Sequence, residues 1–148
     1  MPMTFMFLIG VLCQYVPSLA VLYLSGVSIV AYTGAAPGGN GTYPENELPA
    51  NAFSSQSNLT SIQLPPTITS IGESAFSGCK LLTSTSLPQG LTFIGASAFN
   101  NCSALTSITI PVNITISPRS VFANTSLTSV DGYTGSAYLD RRKRIHRL

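Results

Sequence analysis

Residues 71–88 read IGESAFSGCKLLTSTSLP and residues 94–111 read IGASAFNNCSALTSITIP, so one motif recurs with a 23-residue period. The same period aligns phenylalanine and leucine positions along the chain. These positions, which we predict to form the core, are Phe53, Phe76, Phe99, Phe122, Leu59, Leu82, Leu105 and, one position early, Leu127. A fixed period of this length is typical of a solenoid, in which each unit buries its apolar residues only against its neighbours.

Each unit contains a short strand and a turn. Residues 59–64 (LTSIQL) place apolar side chains at the first, fourth and sixth positions, which predicts an inward-facing pattern on a parallel strand. Pro65 ends this strand because proline cannot donate a ladder hydrogen bond. The sequence Glu73-Ser74-Ala75-Phe76 is interpreted as a helical turn whose phenylalanine fills the core. We therefore predict an α/β solenoid of short parallel strands and short helical turns over residues 51–139.

The repeat is imperfect. Thr85 stands where neighbouring units have an inward isoleucine, Ser117-Pro118 replaces an Ile-Gly pair, and the unit that begins at Leu105 is shorter than the others by a single position. With about three full units, the array is close to the minimum for a stable stack.

The strings LTSITIP (residues 105–111) and IGESAFSGC (residues 71–79) resemble BspA-type leucine-rich repeats, which occur in surface proteins of bacteria and of some protists. The segment AYTGAAPGG (residues 31–39) is similar to the Tyr-Thr-Gly segment that often introduces such arrays. The resemblance implies a right-handed solenoid that binds an extracellular or host protein, or mediates adhesion, at the cell surface.

The N-terminal region is apolar, and no charged side chain occurs before Glu45. Three interpretations fit it. In the first, Phe5–Val16 is the apolar part of a signal peptide cleaved after Ala20. In the second, the whole run to Ala31 is a membrane-spanning helix that anchors the array. In the third, residues after Ala20 belong to the folded domain, with Val27–Tyr32 as its first strand. The first and third interpretations are compatible.

We divide the chain accordingly. Residues 1–26 are predicted to be a signal peptide or an apolar signal-anchor helix, and residues 27–50 an N-terminal strand followed by a Gly/Pro-rich lead-in. Residues 51–139 form the repeat domain, and residues 140–148 a basic, disordered tail. The protein is thus predicted to be secreted, or held at the cell surface by a single N-terminal transmembrane helix.

Outward strand positions form a candidate partner-binding face. Its members are Thr60, Ser61, Gln63, Thr83, Ser84, Ser86, Thr106, Ser107 and Thr109. Concave solenoid faces bind partners, but this set includes no Trp, Tyr or Arg, the residues that dominate binding hot spots. The alternative is that they are ordinary solvent-facing repeat positions. The protein would then be a structural spacer, or a fragment of a longer surface protein, with no ligand of its own.

Other features carry less functional information. Cys79 and Cys102 are equivalent in neighbouring units, and we expect buried free thiols rather than a disulfide. Five Asn-x-Ser/Thr sequences are present, of which Asn40, on a Gly-rich loop, is the preferred candidate for a glycan. Five of the seven cationic residues lie in the last eight positions, a pattern more typical of a solvated end than of a nucleic-acid site.

No catalytic or cofactor-binding constellation is visible. The five acidic residues are scattered, and His146 is the only histidine. Acid-base catalysis needs convergent groups with tuned pKa values, and zinc binding needs closely spaced Cys and His ligands. We therefore predict a protein that is not an enzyme, with no cofactor, no metal and no small-molecule substrate.

Overall fold

The computed structural model describes residues 18–36, 39–112, 114–117 and 119–131, which form a solenoid of short parallel strands with one antiparallel hairpin. Residues 1–17 and the segment from 132, including the predicted basic tail, lie outside this part. The strands are β1 (Val21–Tyr23), β2 (Tyr32–Ala36), β3 (Gly39–Tyr43), β4 (Glu47–Leu48), β5 (Ser61–Gln63), β6 (Ser70–Ile71), β7 (Ser84–Ser86), β8 (Phe93–Ile94), β9 (Ser107–Thr109), β10 (Thr115–Ile116) and β11 (Ser129–Asp131).

Two parallel sheets run along the solenoid. One has five strands in the order β1-β5-β7-β9-β11, and the other has four in the order β10-β8-β6-β4. Successive coils contribute one strand to each sheet, with Ser61 paired to Ser84 in the first and Ile71 to Ile94 in the second. Residues one 23-residue sequence period apart therefore pair with each other between neighbouring coils.

The core lies between the two sheets and is continuous through the coils. All eight side chains of the predicted core set are buried. The rings of Phe53, Phe76, Phe99 and Phe122 form one stack, with centroids 5.4, 5.1 and 5.6 Å apart and interplanar angles of 12°, 11° and 14°. Each buried phenylalanine contributes about 1.5–3 kcal/mol through burial alone, and stacking adds about 0.5–1.5 kcal/mol per pair.

The predicted helical turns are absent from the described residues, which contain strands and turns but no helix. The amides around Phe76 alternate between two kinds of acceptor. Ala75 N donates to Gly72 O within its own coil, whereas Phe76 N donates to Ala98 O of the next coil, at 2.8 Å. Ser74 also has φ of 55°, in the left-handed region, which a right-handed helix cannot accommodate. The α/β prediction is therefore wrong here, because inter-coil hydrogen bonds replace intrahelical ones.

Two glycines set the closest approach of neighbouring coils. A Cβ on Gly95 would lie 2.7 Å from Glu73 N, and one on Gly72 would lie 2.5 Å from Ala50 N. Both neighbours are backbone atoms of the preceding coil and cannot rotate away. The glycine of the repeated Ile-Gly pair is thus required by backbone packing.

The solenoid includes residues from Val21 onward, in agreement with the third interpretation of the N-terminal region. Residues 18–26, assigned to an N-terminal helix, instead contain β1, which pairs in parallel with β5. Residues 27–31 form no strand, so the predicted first strand Val27–Tyr32 is wrong. Val27 N donates to Leu24 O in a turn that buries both Leu24 and Ile29. Burial of these two side chains explains why the chain bends there rather than extends.

The Gly/Pro-rich lead-in is an insertion within the first coil. Strands β2 and β3 pair as an antiparallel hairpin, with Tyr32 opposite Tyr43. At its base, Asn46 N donates to Ile29 O at 3.0 Å, so the chain leaves and rejoins the solenoid at nearly the same point. Strand β4 then enters the four-stranded sheet beside β6.

Candidate binding face

The outer face of the five-stranded sheet is built by alternation along each strand. In β7, Ser84 and Ser86 are exposed and Thr85 is buried, and β9 has the same pattern. Because paired residues of parallel strands point to the same side, equivalent side chains line up in rows across the coils, about 4.8 Å apart. The first row holds Ser61, Ser84 and Ser107, and the second holds Gln63, Ser86 and Thr109. Six of the nine predicted residues therefore lie together on one surface.

The remaining three predicted residues, Thr60, Thr83 and Thr106, immediately precede the strands and take part in bonds between coils. The Thr60 hydroxyl donates to Ala20 O at 2.9 Å, and the Thr83 hydroxyl donates to Thr60 O at 3.3 Å. Thr106 O in turn accepts from the Thr128 hydroxyl at 3.4 Å. This row stabilises the stack, and a ligand would have to compete with its internal hydrogen bonds.

Hydroxyl ladders of this kind recur elsewhere on the solenoid. On the four-stranded sheet, the Thr92 hydroxyl donates to Thr69 O at 3.0 Å. On the turn side, the Ser126 hydroxyl donates to Ser103 O at 2.7 Å, and Asn124 Nδ2 donates to Asn101 Oδ1 at 2.9 Å. Much of the Ser/Thr-rich composition thus serves to link one coil to the next.

Strand β1 extends the outer face beyond the predicted residues. Register places Tyr23 beside Gln63 and Val21 beside Ser61, and both β1 side chains face solvent. Tyr23 is 72% exposed. The sequence does carry a signal for this strand, since Leu22 and Leu24 match the inward positions Ile62 and Leu64, although β1 lies outside the 23-residue period. The face therefore includes a tyrosine, which the sequence interpretation missed.

The inward side of β7 holds one polar residue. Thr85 is buried, and its hydroxyl donates to Ile62 O at 3.4 Å. Burying a hydroxyl without a partner is costly, and this contact partly offsets the cost. The departure from the repeat pattern at this position is thus accommodated inside the sheet and leaves the outer face unchanged.

Cys79 and Cys102 are buried thiols that form no disulfide, as expected. Each Sγ lies 3.1 Å from a carbonyl oxygen in the preceding coil, Phe53 O for Cys79 and Phe76 O for Cys102. Burial raises the pKa of the Cys102 thiol to about 12, although a backbone hydrogen bond from Cys79 acts in the opposite direction. The thiolate is the nucleophilic form, so Cys102 is a packing residue with weak hydrogen-bonding capacity.

The described residues contain neither a grouped set of metal ligands nor a long apolar helix. Across this part of the chain, no three His, Cys, Asp or Glu side chains are grouped so that they could hold a metal ion. The same residues include no helix of the length and apolar character that crossing a bilayer requires. The glycan candidate Asn40 lies in β3, and its modification stays a prediction.

The sequence profile of the BspA type leucine-rich repeat region matches residues 46–141, with six copies of the repeat. The chain belongs to the BspA-type leucine-rich repeat family. A search of curated protein sequences finds no significant match.

Solved structures of leucine-rich repeat proteins share the fold. One from Bacteroides capillosus has 27% identity and a TM-score of 0.57, with 76% of each chain covered. One from Bacteroides ovatus has 30% identity and a TM-score of 0.51 over 55% of this chain. This chain covers only 21% of the B. ovatus protein. The alignment with a Treponema pallidum leucine-rich repeat protein spans 77% of this chain and 58% of that protein, with 22% identity and a TM-score of 0.53.

Proposed function

We propose that this BspA-type repeat chain is a non-catalytic module for protein binding or adhesion, and that its contact surface is the outer face of the five-stranded sheet. The observation that supports this is the two straight rows of outward side chains on β5, β7 and β9, all exposed except Ser61, which is half-buried. Neighbouring coils hold these strands through backbone and core contacts, so the rows are rigidly spaced. Solenoids use such extended, repetitive surfaces to bind partners.

The chemistry of the described residues supports a non-catalytic role. Glu45, Glu47 and Glu73 are distributed along the first and second coils, outside the candidate face, whereas Asp131 ends β11 at the edge of the five-stranded sheet. The pKa of Cys102 is raised rather than lowered, whereas a nucleophilic cysteine needs a stabilised thiolate. General acid-base catalysis needs convergent titratable groups, and the outer face offers hydroxyl and amide groups instead.

A structural spacer is the second candidate. The hydroxyl ladders favour it, because they show that many of the Ser and Thr side chains link the coils. In this case the outer rows would only keep the solenoid soluble, and the chain would separate other parts of a longer protein. The two candidates differ in whether altering the outer face changes binding.

We further propose that the protein is secreted or held at the cell surface, where its partner is an extracellular or host protein. The structure sharpens one test of this proposal. Ala20 O accepts from Thr60 N at 2.7 Å and from the Thr60 hydroxyl at 2.9 Å. Cleavage after Ala20 would remove that acceptor. N-terminal sequencing of the mature protein distinguishes a start at Val21, which indicates cleavage, from an intact Met1 in the membrane fraction, which indicates an anchor.

The binding face is tested by adding charge to it. In the variant Ser84→Lys/Ser107→Lys, two cations stand side by side in the first outer row, on β7 and β9. The matched control Gln89→Lys/Thr115→Lys adds the same charge at exposed positions outside the five-stranded sheet. Beads coated with each full chain are applied to a cultured epithelial monolayer and washed. We expect the control to be retained like the wild type and the face variant to be lost.

Two results would contradict the binding proposal. Equal retention of the face variant and the control would place the contact elsewhere on the chain. Wild-type beads that wash off as readily as uncoated beads would favour the spacer.

A further inference from the structure

The outer face is not uniform along the solenoid, because its N-terminal end carries an aromatic residue. Tyr23 is 72% exposed and Val21 is 43% exposed, and both belong to β1. Register places Tyr23 at the start of the row that continues through Gln63, Ser86 and Thr109. Within this row, a flat aromatic ring is followed by an amide and two hydroxyls.

The face is also uncharged from β1 to β9, and its first charged position is Asp131 of β11, which pairs with Thr109 at the far end of the row. The outward residues of β1, β5, β7 and β9 are Val21, Tyr23, Ser61, Gln63, Ser84, Ser86, Ser107 and Thr109. A phosphorylated or strongly acidic ligand would find no cation here for a charge-assisted hydrogen bond. Hydroxyl and amide groups both donate and accept hydrogen bonds. The complementary ligand is therefore neutral and rich in hydroxyls, with an apolar patch that can cover a tyrosine ring.

We propose that the outer face binds a neutral glycan chain on the partner, with one sugar ring lying on Tyr23. The sugars that follow run across the strands and exchange hydrogen bonds with Gln63, Ser86 and Thr109, which recur about every 4.8 Å. This inference rests on the proposed function, because it names the part of the partner that the same face contacts. Affinity per sugar is weak, since each contact is a single solvent-exposed hydrogen bond, and repeated contacts along the chain strengthen it.

The direct test uses neutral linear hexasaccharides of glucose, xylose and mannose, titrated calorimetrically into the full chain. We expect at least one to bind in the millimolar range or tighter. Tyr23→Ala should weaken that binding roughly tenfold, the scale of a lost aromatic anchor, and Tyr23→Phe should retain it. The matched control is Phe93→Ala, which removes an aromatic side chain that is 40% exposed on the other sheet. An acidic hexasaccharide of the same length should bind no more tightly than the neutral ones.

The bead assay separates failure of this inference from failure of the proposed function. Enzymatic removal of glycans from the epithelial monolayer should abolish retention of wild-type beads. If retention persists after glycan removal and no hexasaccharide binds, the glycan inference is wrong while the binding function stands. If beads are not retained on either monolayer, both are wrong. Equal weakening in Tyr23→Ala and Phe93→Ala would also overturn the inference, because it would place no special contact on β1.

Discussion

The first coil and the coils that follow it form the same sheets from different lengths of chain. Between β1 and β5 the register advances from Val21 to Ser61, whereas between β5 and β7 it advances only from Ser61 to Ser84. The longer first coil contains the β2–β3 hairpin. The inward contacts are nevertheless equivalent, because Leu24 and Leu48 are buried as their counterparts in later coils are.

The difference shows which parts of the repeat are physically required. A coil needs inward apolar side chains at a few fixed places and a backbone that pairs with its neighbour. The length of chain between those places is free, provided that its ends lie close together. In this protein, 23 residues are thus enough to form one coil. The first coil makes the same inward contacts with a longer segment of chain. Substitutions and a deletion test this interpretation.

The largest expected effect is on the phenylalanine stack. Phe99 has a stacked ring on each side, at 5.1 and 5.6 Å, whereas Phe53 stacks on Phe76 alone among the described rings. Phe99→Ala should lower the free energy of unfolding by about 3–5 kcal/mol, and Phe53→Ala should lower it by less. Urea unfolding followed by circular dichroism measures both. An equal loss in the two variants would mean that stacking adds nothing to burial in the regular coils.

The second effect compares glycines of the two regions. Gly95→Ala should destabilise the fold by about 1–3 kcal/mol, the usual cost of overpacking, because its Cβ would meet backbone atoms of the preceding coil at 2.7 Å. Gly26, in the first coil, leaves open space within 4 Å of the place that a Cβ would take. Gly26→Ala should therefore be neutral, or stabilising by about 0.4–1 kcal/mol through the unfolded state. Thermal unfolding of the two variants decides the matter, and a tolerated Gly95→Ala would refute the close-approach argument.

Sequence periodicity predicts the regular coils well for a physical reason. Residues one period apart, such as Phe76 and Phe99, are in contact, so the spacing in the sequence is the spacing of the stack. The buried leucines and the outward Ser and Gln rows follow from the same alternation. Turn conformation does not follow from that alternation. The sequence Glu73-Ser74-Ala75-Phe76 fits a helical turn as well as a turn whose amides donate alternately to carbonyl groups of its own coil and of the next coil.

The first coil was harder to predict because its contacts lie farther apart in the sequence than one period and share no repeated motif. Apolar residues from Val21 to Val30 are compatible with an anchor, with the start of a mature chain or with a strand. Only the pairing of β1 with β5 shows that Tyr23 lies on the candidate face. The aromatic end of that face was therefore missed, while its Ser, Thr and Gln positions were identified.

A smaller effect is expected at the inward row of the five-stranded sheet. The non-repeating first coil has Leu22 in this row, paired with Ile62, whereas the regular coil of β7 has Thr85. Thr85→Val exchanges a buried hydroxyl, bonded at 3.4 Å to Ile62 O, for a methyl group of similar size. Since that hydrogen bond is long, the apolar gain should prevail and stabilise the protein by about 1 kcal/mol. The shift in the urea midpoint measures it, with Thr83→Val, an exposed ladder position, as the control. If Thr85→Val is instead destabilised, the hydrogen bond of the hydroxyl contributes more to stability than burial of the added methyl group.

The smallest expected effect comes from removing the insertion itself. Residues 31–44 are deleted, and Val30 is joined to Glu45 through Asn-Gly, a sequence that favours a tight turn. The ends already meet at the Asn46 N to Ile29 O hydrogen bond of 3.0 Å. The deletion removes less than half of the first coil, which runs from Val21 to Ser61, so stability should change by no more than about 0.6 kcal/mol, the cost of a twofold change in loop length. Deleting residues 66–79 from the second coil is the contrasting control. It removes β6 and Phe76 and should prevent folding. If excising the hairpin instead unfolds the first coil, then the hairpin supports β1, and the first coil differs from the later ones in what holds it together as well as in length.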